Sequence, residues 1–403
     1  MTTFRQSSSL RARPLDETLR LAETLAREVG VVRVTDTTRL DRIGVPVFAS
    51  IRPGAAPLSL CVSAGKGMSP AEAKIGATME AIELAFAEPG RARLGIVAAT
   101  GRELASSGVR LDDLCPRADV VLDEDAPLDC VAAEEVDTGR TVLVPAECVF
   151  FPYAARFFSS DTNGLASGNS VLEATVHALA ELFERDIATL QGADDRTRRV
   201  RNETLPAHLR ELVERTERAG FAITVRAAPN EFGLPFFTAT VREPGVRDGV
   251  HGGIGCHPWA SIAATRALCE AFQARLTIIH GGRDDLQGHN RRFSSLSEAM
   301  RMEAVHARAE RREAEADSVS YDEVGDHAAR TPTIEAVYEL FRDIAGAARL
   351  GAPLRVRLTP PELPLQVVKC LVPGLEFHAS QAGPRVGPRL RAALAGRKPL
   401  AAM

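Results

Sequence analysis

The chain reads as an α+β fold assembled from repeated strand–loop–helix units around a central cleft. Strand-like and helix-like periodicities are mixed without strict alternation. A short pattern, Ala-x3-Ala-x2-Glu-x2-Glu/Gln, also occurs three times behind glycine-bearing segments, as Ala73/Ala77/Glu80/Glu83, Ala174/Ala178/Glu181/Glu184 and Ala263/Ala267/Glu270/Gln273. The recurrences lie about 100 and about 90 residues apart, too long for a solenoid and suited to duplicated lobes around one cleft. No strong linker precedes residue 290. The expected organisation is therefore an N-terminal helix and strands over 1–60 that complete the site, then one continuous domain over 61–403.

Element by element, Asp16 to Val29 has the apolar stripe of an amphipathic helix, and Val31–Val34, Val47–Ile51 and Leu58–Ser63 read as strands. Ser69-Pro70-Ala71-Glu72 is a helix start, with a serine cap, proline at the first position and an acid in the first turn. That helix should run to about Ala87 and stop before Pro89-Gly90. Leu94 to Val149 suggests short strands and turns ending in Thr141–Pro145. Phe150–Ser160 reads as an aromatic loop. Ser170 caps a helix to about Leu190, with Glu173 placed for a capping box. Strands follow at Ala222–Val225 and Phe236–Val241, then the third helix from Pro258 to about Ile279. Arg301–Asp317, with its mixed signs, suits a solvated helix and loop. A helix over Thr333–Leu350, strands at Leu354–Leu358 and Gln366–Val372, and a short basic helix over Arg389–Arg397 complete the expectation.

The balance of charges excludes several function classes. A net charge of -4, with only 5% aromatics and no basic stripe, argues against a dedicated nucleic-acid binder. No apolar run reaches membrane-span length and the start lacks a signal-peptide core, so the expected location is the cytoplasm. The cysteines (Cys61, Cys115, Cys130, Cys148, Cys256, Cys269, Cys370) are dispersed and odd in number, which fits reduced buried thiols rather than disulfides or zinc.

On a helix the motif positions fall at i, i+4, i+7 and i+10 and share a face. Two alanines let another backbone come close, and acids on such a face are costly unless a cation meets them. The simplest cation is Mg²⁺ carrying a nucleotide phosphate, with the glycines expected to let backbone reach that phosphate. Lys66 is a candidate phosphate neutraliser or an ordinary surface lysine. Its segment is not a P-loop, and Gly252-Gly253-Ile254-Gly255 lacks the full dinucleotide fingerprint. Cys256 reads as a packed residue, and His177 as a buried, satisfied histidine or a neighbour of the metal.

These segments resemble the YcaO family. The likeness rests on Gly65-Lys66-Gly67-Met68-Ser69 through Glu83, on Thr162-Asn163-Gly164-Leu165-Ala166-Ser167-Gly168-Asn169 through Glu184-Arg185-Asp186, and on Gly253-Ile254-Gly255 through Arg275. Arg11 to Thr18 resembles the family's nucleotide-contacting start. The resemblance implies ATP and Mg²⁺ as cofactors. Glu80, Glu83, Glu181 and Glu184 would hold the metal; Glu270 and Gln273 would join the polar shell, and Arg275 would reach phosphate. Ser167 and Asn169 would lie along the nucleotide, with Arg11 and Thr18 closing over it. Leu84 stands where the family commonly has arginine, while Arg185 keeps it in the second motif.

The implied reaction is ATP-dependent activation of a peptide backbone amide. A nucleophile adds to the carbonyl, the oxyanion takes the γ-phosphoryl group, and phosphate departs. A substrate Cys, Ser or Thr side chain gives an azoline, and external sulfide gives a thioamide. The chain ends Lys398-Pro399-Leu400-Ala401-Ala402-Met403 without the PxPxP-like tail of azoline-forming relatives. That leans the expectation toward a thioamide formed on a ribosomally made peptide or protein, with a TfuA-like or other partner supplying sulfur or binding substrate. The resemblance also implies a homodimer. A small-molecule ligase or kinase using the same cleft, a non-enzymatic nucleotide-binding module and a pseudoenzyme are the alternatives.

Overall fold

The computed structural model describes residues 2–246, 249–283, 296–378 and 384–395. A small antiparallel pair, β1 (Phe4–Arg5) with β2 (Leu10–Arg11), leads into α1 (Leu15–Glu28), whose buried face carries Ala22, Leu25 and Ala26. β3 (Arg33–Asp36), β4 (Val47–Ile51) and β5 (Val62–Lys66) form an antiparallel sheet. β5 begins later than its expected start at Leu58. Leu58 has a φ of 71°, left-handed backbone that a strand cannot use, and pairing with β4 instead runs from Val62 to Lys66. α2 (Pro70–Ala87) starts on the expected Ser69 cap, and the first-turn acid Glu72 completes a capping box with it.

A short turn of helix, α3 (Pro89–Ala92), is followed by β6 (Val97–Thr100), α4 (Gly101–Ser106), β7 (Pro127–Glu135) and β8 (Thr141–Pro145). β9 (Leu165–Gly168) leads to α5 (Val171–Ala193), and β10 (Arg198–Val200) to α6 (Ala207–Arg218), a helix the sequence reading omits. β11 (Ala222–Ala227), β12 (Phe236–Arg242) and β13 (Val250–Cys256) precede α7 (Ala260–His280). The remaining elements are α8 (Leu296–Ala314), β14 (Ser318–Val319), α9 (Ile334–Ala347), β15 (Leu354–Arg357), β16 (Gln366–Leu371) and α10 (Pro388–Ala395). One sheet has the order β6-β7-β15-β16-β9, with β8 also on β7; another has the order β13-β12-β11-β10-β14. The tail Lys398–Met403 and Arg397 lie outside the described residues.

Most glycines expected in phosphate-facing loops belong instead to strands, Gly67 and Gly164 being the exceptions. Gly65 is in β5, Gly168 ends β9, and Gly253 and Gly255 are in β13. A Cβ on Gly65 would sit 1.9 Å from the Ala77 nitrogen and 2.2 Å from the Ala73 oxygen. On Gly253 it would meet the Ala267 oxygen at 2.2 Å, and on Gly168 the Ala174 nitrogen at 2.6 Å. Glycine on the strand and alanine on the helix thus serve one contact, in which backbone packs on backbone. The motif alanines Ala73, Ala77, Ala174, Ala178, Ala263 and Ala267 are all fully buried. Three hydrophobic clusters fill the space behind, one between α1, α2 and β7, one around α5 and α9, and one between α6, α7 and β11–β12.

Candidate active site

The three units close on one another in a ring. α2 packs on β5, α5 on β9 and α7 on β13; each helix also touches the next unit's strand, α2 on β9, α5 on β13 and α7 on β5. The last motif residue makes each joint. Oε1 of Glu83 accepts the Ser167 N–H at 2.8 Å and also the Ser167 hydroxyl. Oε2 of Glu184 accepts the Cys256 N–H at 2.9 Å. At the third joint the strand presents a carbonyl, and the Gln273 amide donates to Ala64 O. The third joint therefore needs an amide, because the Ala64 carbonyl requires a donor that a carboxylate lacks, whereas a carboxylate or an amide oxygen can accept the N–H of the other two.

At the centre of the ring is a cavity of about 880 Å³. Glu80, Glu83, Glu181, Glu184, Glu270 and Gln273 line it, as do Lys66, Ser167, Arg11 and Thr18. Lys66 is no ordinary surface lysine: its Nζ lies 2.8 Å from Glu270. Two expected residues do not line the cavity. Asn169 stands one layer back, its Oδ1 accepting from the Thr18 hydroxyl at 3.0 Å and its amide donating to Glu173. Arg275 is committed elsewhere, 2.9 Å from Asp41 and 2.8 Å from Glu243, with its guanidinium over Phe221. Five residues beyond Glu270, it has turned about 140° away on the helix. The phosphate contact expected of Arg275 has no geometric basis.

Sequence reasoning missed Arg266, Arg283 and Glu72, which also line the cavity. The four-residue spacing from Arg266 to Glu270 on α7 was a usable signal, since it puts both on one face. Arg283 follows α7 in a loop, with no local pattern to mark it. The Nε of Arg266 is buried without a hydrogen bond and lies 3.8 Å from Glu184. Arg185 stands 3.8 Å from Glu181. His177 is on the cavity wall rather than in the core, and burial together with Arg266, Arg11 and Lys66 keeps it neutral. Glu173, placed for a capping box, instead turns its carboxylate to Arg11 and the Ala12 N–H.

The carboxylates feel one another. Burial pushes Glu83 up to about 8, with Glu80 and Glu181 adding repulsion against the Ser167 hydrogen bonds. Burial lifts Glu184 to about 7, aided by Glu270 and Glu181 and opposed by Arg266. Glu80 and Glu181 are raised by burial too, the first against Arg283 and Lys66, the second against Arg185 and Lys369. Glu270 goes the other way: burial would raise it, but Lys66, Arg185 and Arg266 outweigh that and hold it below the ordinary range. Among the described residues, no group of three or more His, Cys, Asp or Glu is gathered closely enough to hold a metal ion unaided. What the wall offers is acids from three helices interleaved with guanidinium and ammonium groups. This donor set fits a hard cation that arrives with its own anionic oxygen ligands.

All seven cysteines are free thiols, buried except for the half-buried Cys61. Among the described residues no helix is long and apolar enough to cross a membrane.

The family model for YcaO cyclodehydratases, described as ATP- and Mg²⁺-binding, matches residues 64–376. An uncharacterised protein of Methanothermobacter thermautotrophicus is 32% identical over 393 residues, covering 94% of this chain and 98% of the relative. A protein encoded in the tfuA 3′ region of Rhizobium leguminosarum bv. trifolii is 31% identical over 371 residues, covering 88% of this chain and 86% of the relative. Among solved structures, YcaO from Methanopyrus kandleri bound with AMPPCP and Mg²⁺ superposes with a TM-score of 0.74 at 26% identity, covering 96% of this chain and 99% of the other.

Proposed function

This chain belongs to the YcaO family, and from that premise we propose that it activates a backbone amide of a peptide or protein, with a thioamide as the product. It is an ATP-dependent enzyme of that class, with ATP and Mg²⁺ as its cofactors. The observation that carries the reading is the convergence of Glu80, Glu181 and Glu270, each from a different helix, on one cavity that also holds Lys66, Arg185 and Arg266.

In this reading Glu80, Glu83, Glu181 and Glu184 would hold Mg²⁺, with Glu270 and Gln273 in the surrounding shell. Lys66, Arg185 and Arg266 would face phosphate in place of Arg275. Arg11, Thr18 and Ser167 would lie along the nucleotide, with Asn169 steadying Thr18 from behind. When bound, the nucleotide supplies the phosphoryl group that makes the amide oxygen a leaving group, and the metal spreads the developing charge. The chain's own work is positioning and electrostatics. Glu83 and Glu184 release the protons they hold near neutral pH as the cation binds. The fixed cations meet charge as it develops.

The thioamide branch is supported by the relative encoded beside tfuA, which makes a TfuA-like protein the partner to seek. The azoline reading is the second, favoured by the family's description as cyclodehydratase. A homodimer in the cytoplasm remains part of the proposal. Incubation with ATP, Mg²⁺ and candidate peptides, with and without sulfide and a TfuA-like partner, separates the branches by mass spectrometry. Exchange of oxygen for sulfur supports thioamidation, and loss of water supports cyclisation. An intact peptide under every condition removes both in favour of a small-molecule ligase or kinase. Glu80→Gln should lower ATP turnover by about 10²–10³-fold, with circular dichroism unchanged; wild-type turnover would remove Glu80 from the site.

A further inference from the structure

The N-terminal hairpin lies against the beginnings of all three repeat helices. At α2, Glu72 accepts the Ser7 N–H at 2.9 Å on one oxygen and the Ser7 hydroxyl at 2.6 Å on the other. At α5, Glu173 accepts the Ala12 N–H at 2.8 Å and Arg11 Nη1 at 3.0 Å. At α7, Arg5 reaches the Ser261 hydroxyl at 3.3 Å and stacks 4.9 Å over the Trp259 ring. Between these anchors Gln6, Ser8 and Arg11 line the cavity.

Glu72 does more than its position requires. A capping-box glutamate needs only to reach back to its own cap residue. In α4, Glu103 does this and is spent on the Thr100 N–H and hydroxyl. Glu72 takes the Ser69 N–H at 3.2 Å and the Met68 N–H at 3.0 Å, and still holds both donors of a residue 65 positions away. Ser7 sits between Gln6 and Ser8, so fixing its backbone and its side chain fixes the two cavity-lining neighbours.

We propose that residues 4–12 are a strap forming one wall of the nucleotide cavity, and that Glu72 is the positioning residue that holds the strap in place through Ser7. This rests on the nucleotide reading above. A wall ordered before the ligand arrives costs nothing to order on binding. Releasing it should weaken nucleotide binding while leaving turnover at saturation nearly intact, the signature of lost uniform binding.

The test is a double-mutant cycle with Glu72→Gln and Ser7→Ala. Affinity for Mg²⁺ with a non-hydrolysable ATP analogue is read by calorimetry, and trypsin cleavage at Arg5 and Arg11 is followed in nucleotide-free protein. Each single variant should weaken binding about tenfold, as loss of a charge-assisted hydrogen bond does. The double variant should be no worse than either single, and cleavage should quicken in all three. Glu103→Gln, in the capping box outside the cavity, should change neither readout. Wild-type affinity in the singles, additive losses in the double, or unchanged cleavage overturns the strap. Wild-type protein that binds no nucleotide overturns the functional reading itself, and the strap with it.

Discussion

The first two repeat units and the third solve the same packing problem with different ends. α2 and α5 open on serine caps, Ser69 and Ser170, each accepting the N–H three residues on, and the glutamate there turns to the N-terminal hairpin. α7 has no side-chain cap at Trp259; the Ala260 N–H is taken at 2.9 Å by Asp326, 66 residues away. The far ends differ too, with Glu83 and Glu184 meeting N–H groups and Gln273 meeting a carbonyl. The middle does not vary: glycine on the strand faces buried alanine on the helix in all three. The close backbone contact is common to the units, while the polar ends adapt to whatever each unit meets in the ring.

The comparison can be broken most severely at its common element. Gly65→Ala forces a methyl into the α2 backbone and should cost about 3 kcal/mol or more by denaturant midpoint. Gly54→Ala, with nothing within 4 Å, should fall within about 0.5 kcal/mol of wild type. Equal costs would mean that the strand glycines are not there for helix approach. A smaller effect should follow from exchanging the ends. Gln273→Glu sets a carboxylate against the Ala64 carbonyl and should lose about 2 kcal/mol, the penalty of an unmatched buried acceptor. Glu83→Gln keeps an acceptor for the Ser167 N–H and should lose less; the reverse order would contradict the joint geometry.

The gentlest probe is pH. Glu83 and Glu184 sit at about 8 and about 7 in the folded protein, against 4.5 for an ordinary glutamate. Between those limits the folded state binds more protons than the unfolded chain, so stability falls as pH rises. The contribution is intact below about 4.5 and is spent once pH passes about 8. Thermal melts of metal-free protein should therefore drop from pH 6 to pH 9. Stabilisation by Mg²⁺ with nucleotide should grow over the same range, since the cation needs the deprotonated acids. A flat metal-free profile would mean that the acids do not share one buried space.

Where local chemistry sufficed, the sequence was legible. Ser69-Pro70 and Ser170 start their helices where expected, and β4 and β8 fall on the expected residues, because caps and strand patterning are local signals. The site was legible as a set of residue types on helix faces, and Glu80, Glu181, Glu270 and Lys66 do share one cavity. The glycines were misread because a glycine beside a helix start looks the same whether it faces a ligand or a neighbouring backbone. Arg275 was misplaced because adjacency in a motif ignores the 100° turn between successive helical residues. Glu72 was read only as a first-turn acid, because its distant partner, Ser7, lies 65 residues away in the chain.

The sequence alone determined the three helices, the small residues that let strands approach them and the acids they carry, because each follows from spacing along a single element. The fold alone decided which cavity-lining acids also bind backbone, that Lys66 pairs with Glu270, and that the N-terminal hairpin spans the three helix starts. Those outcomes depend on which strand or loop each side chain meets once the ring has closed, and no one-dimensional spacing contains that information.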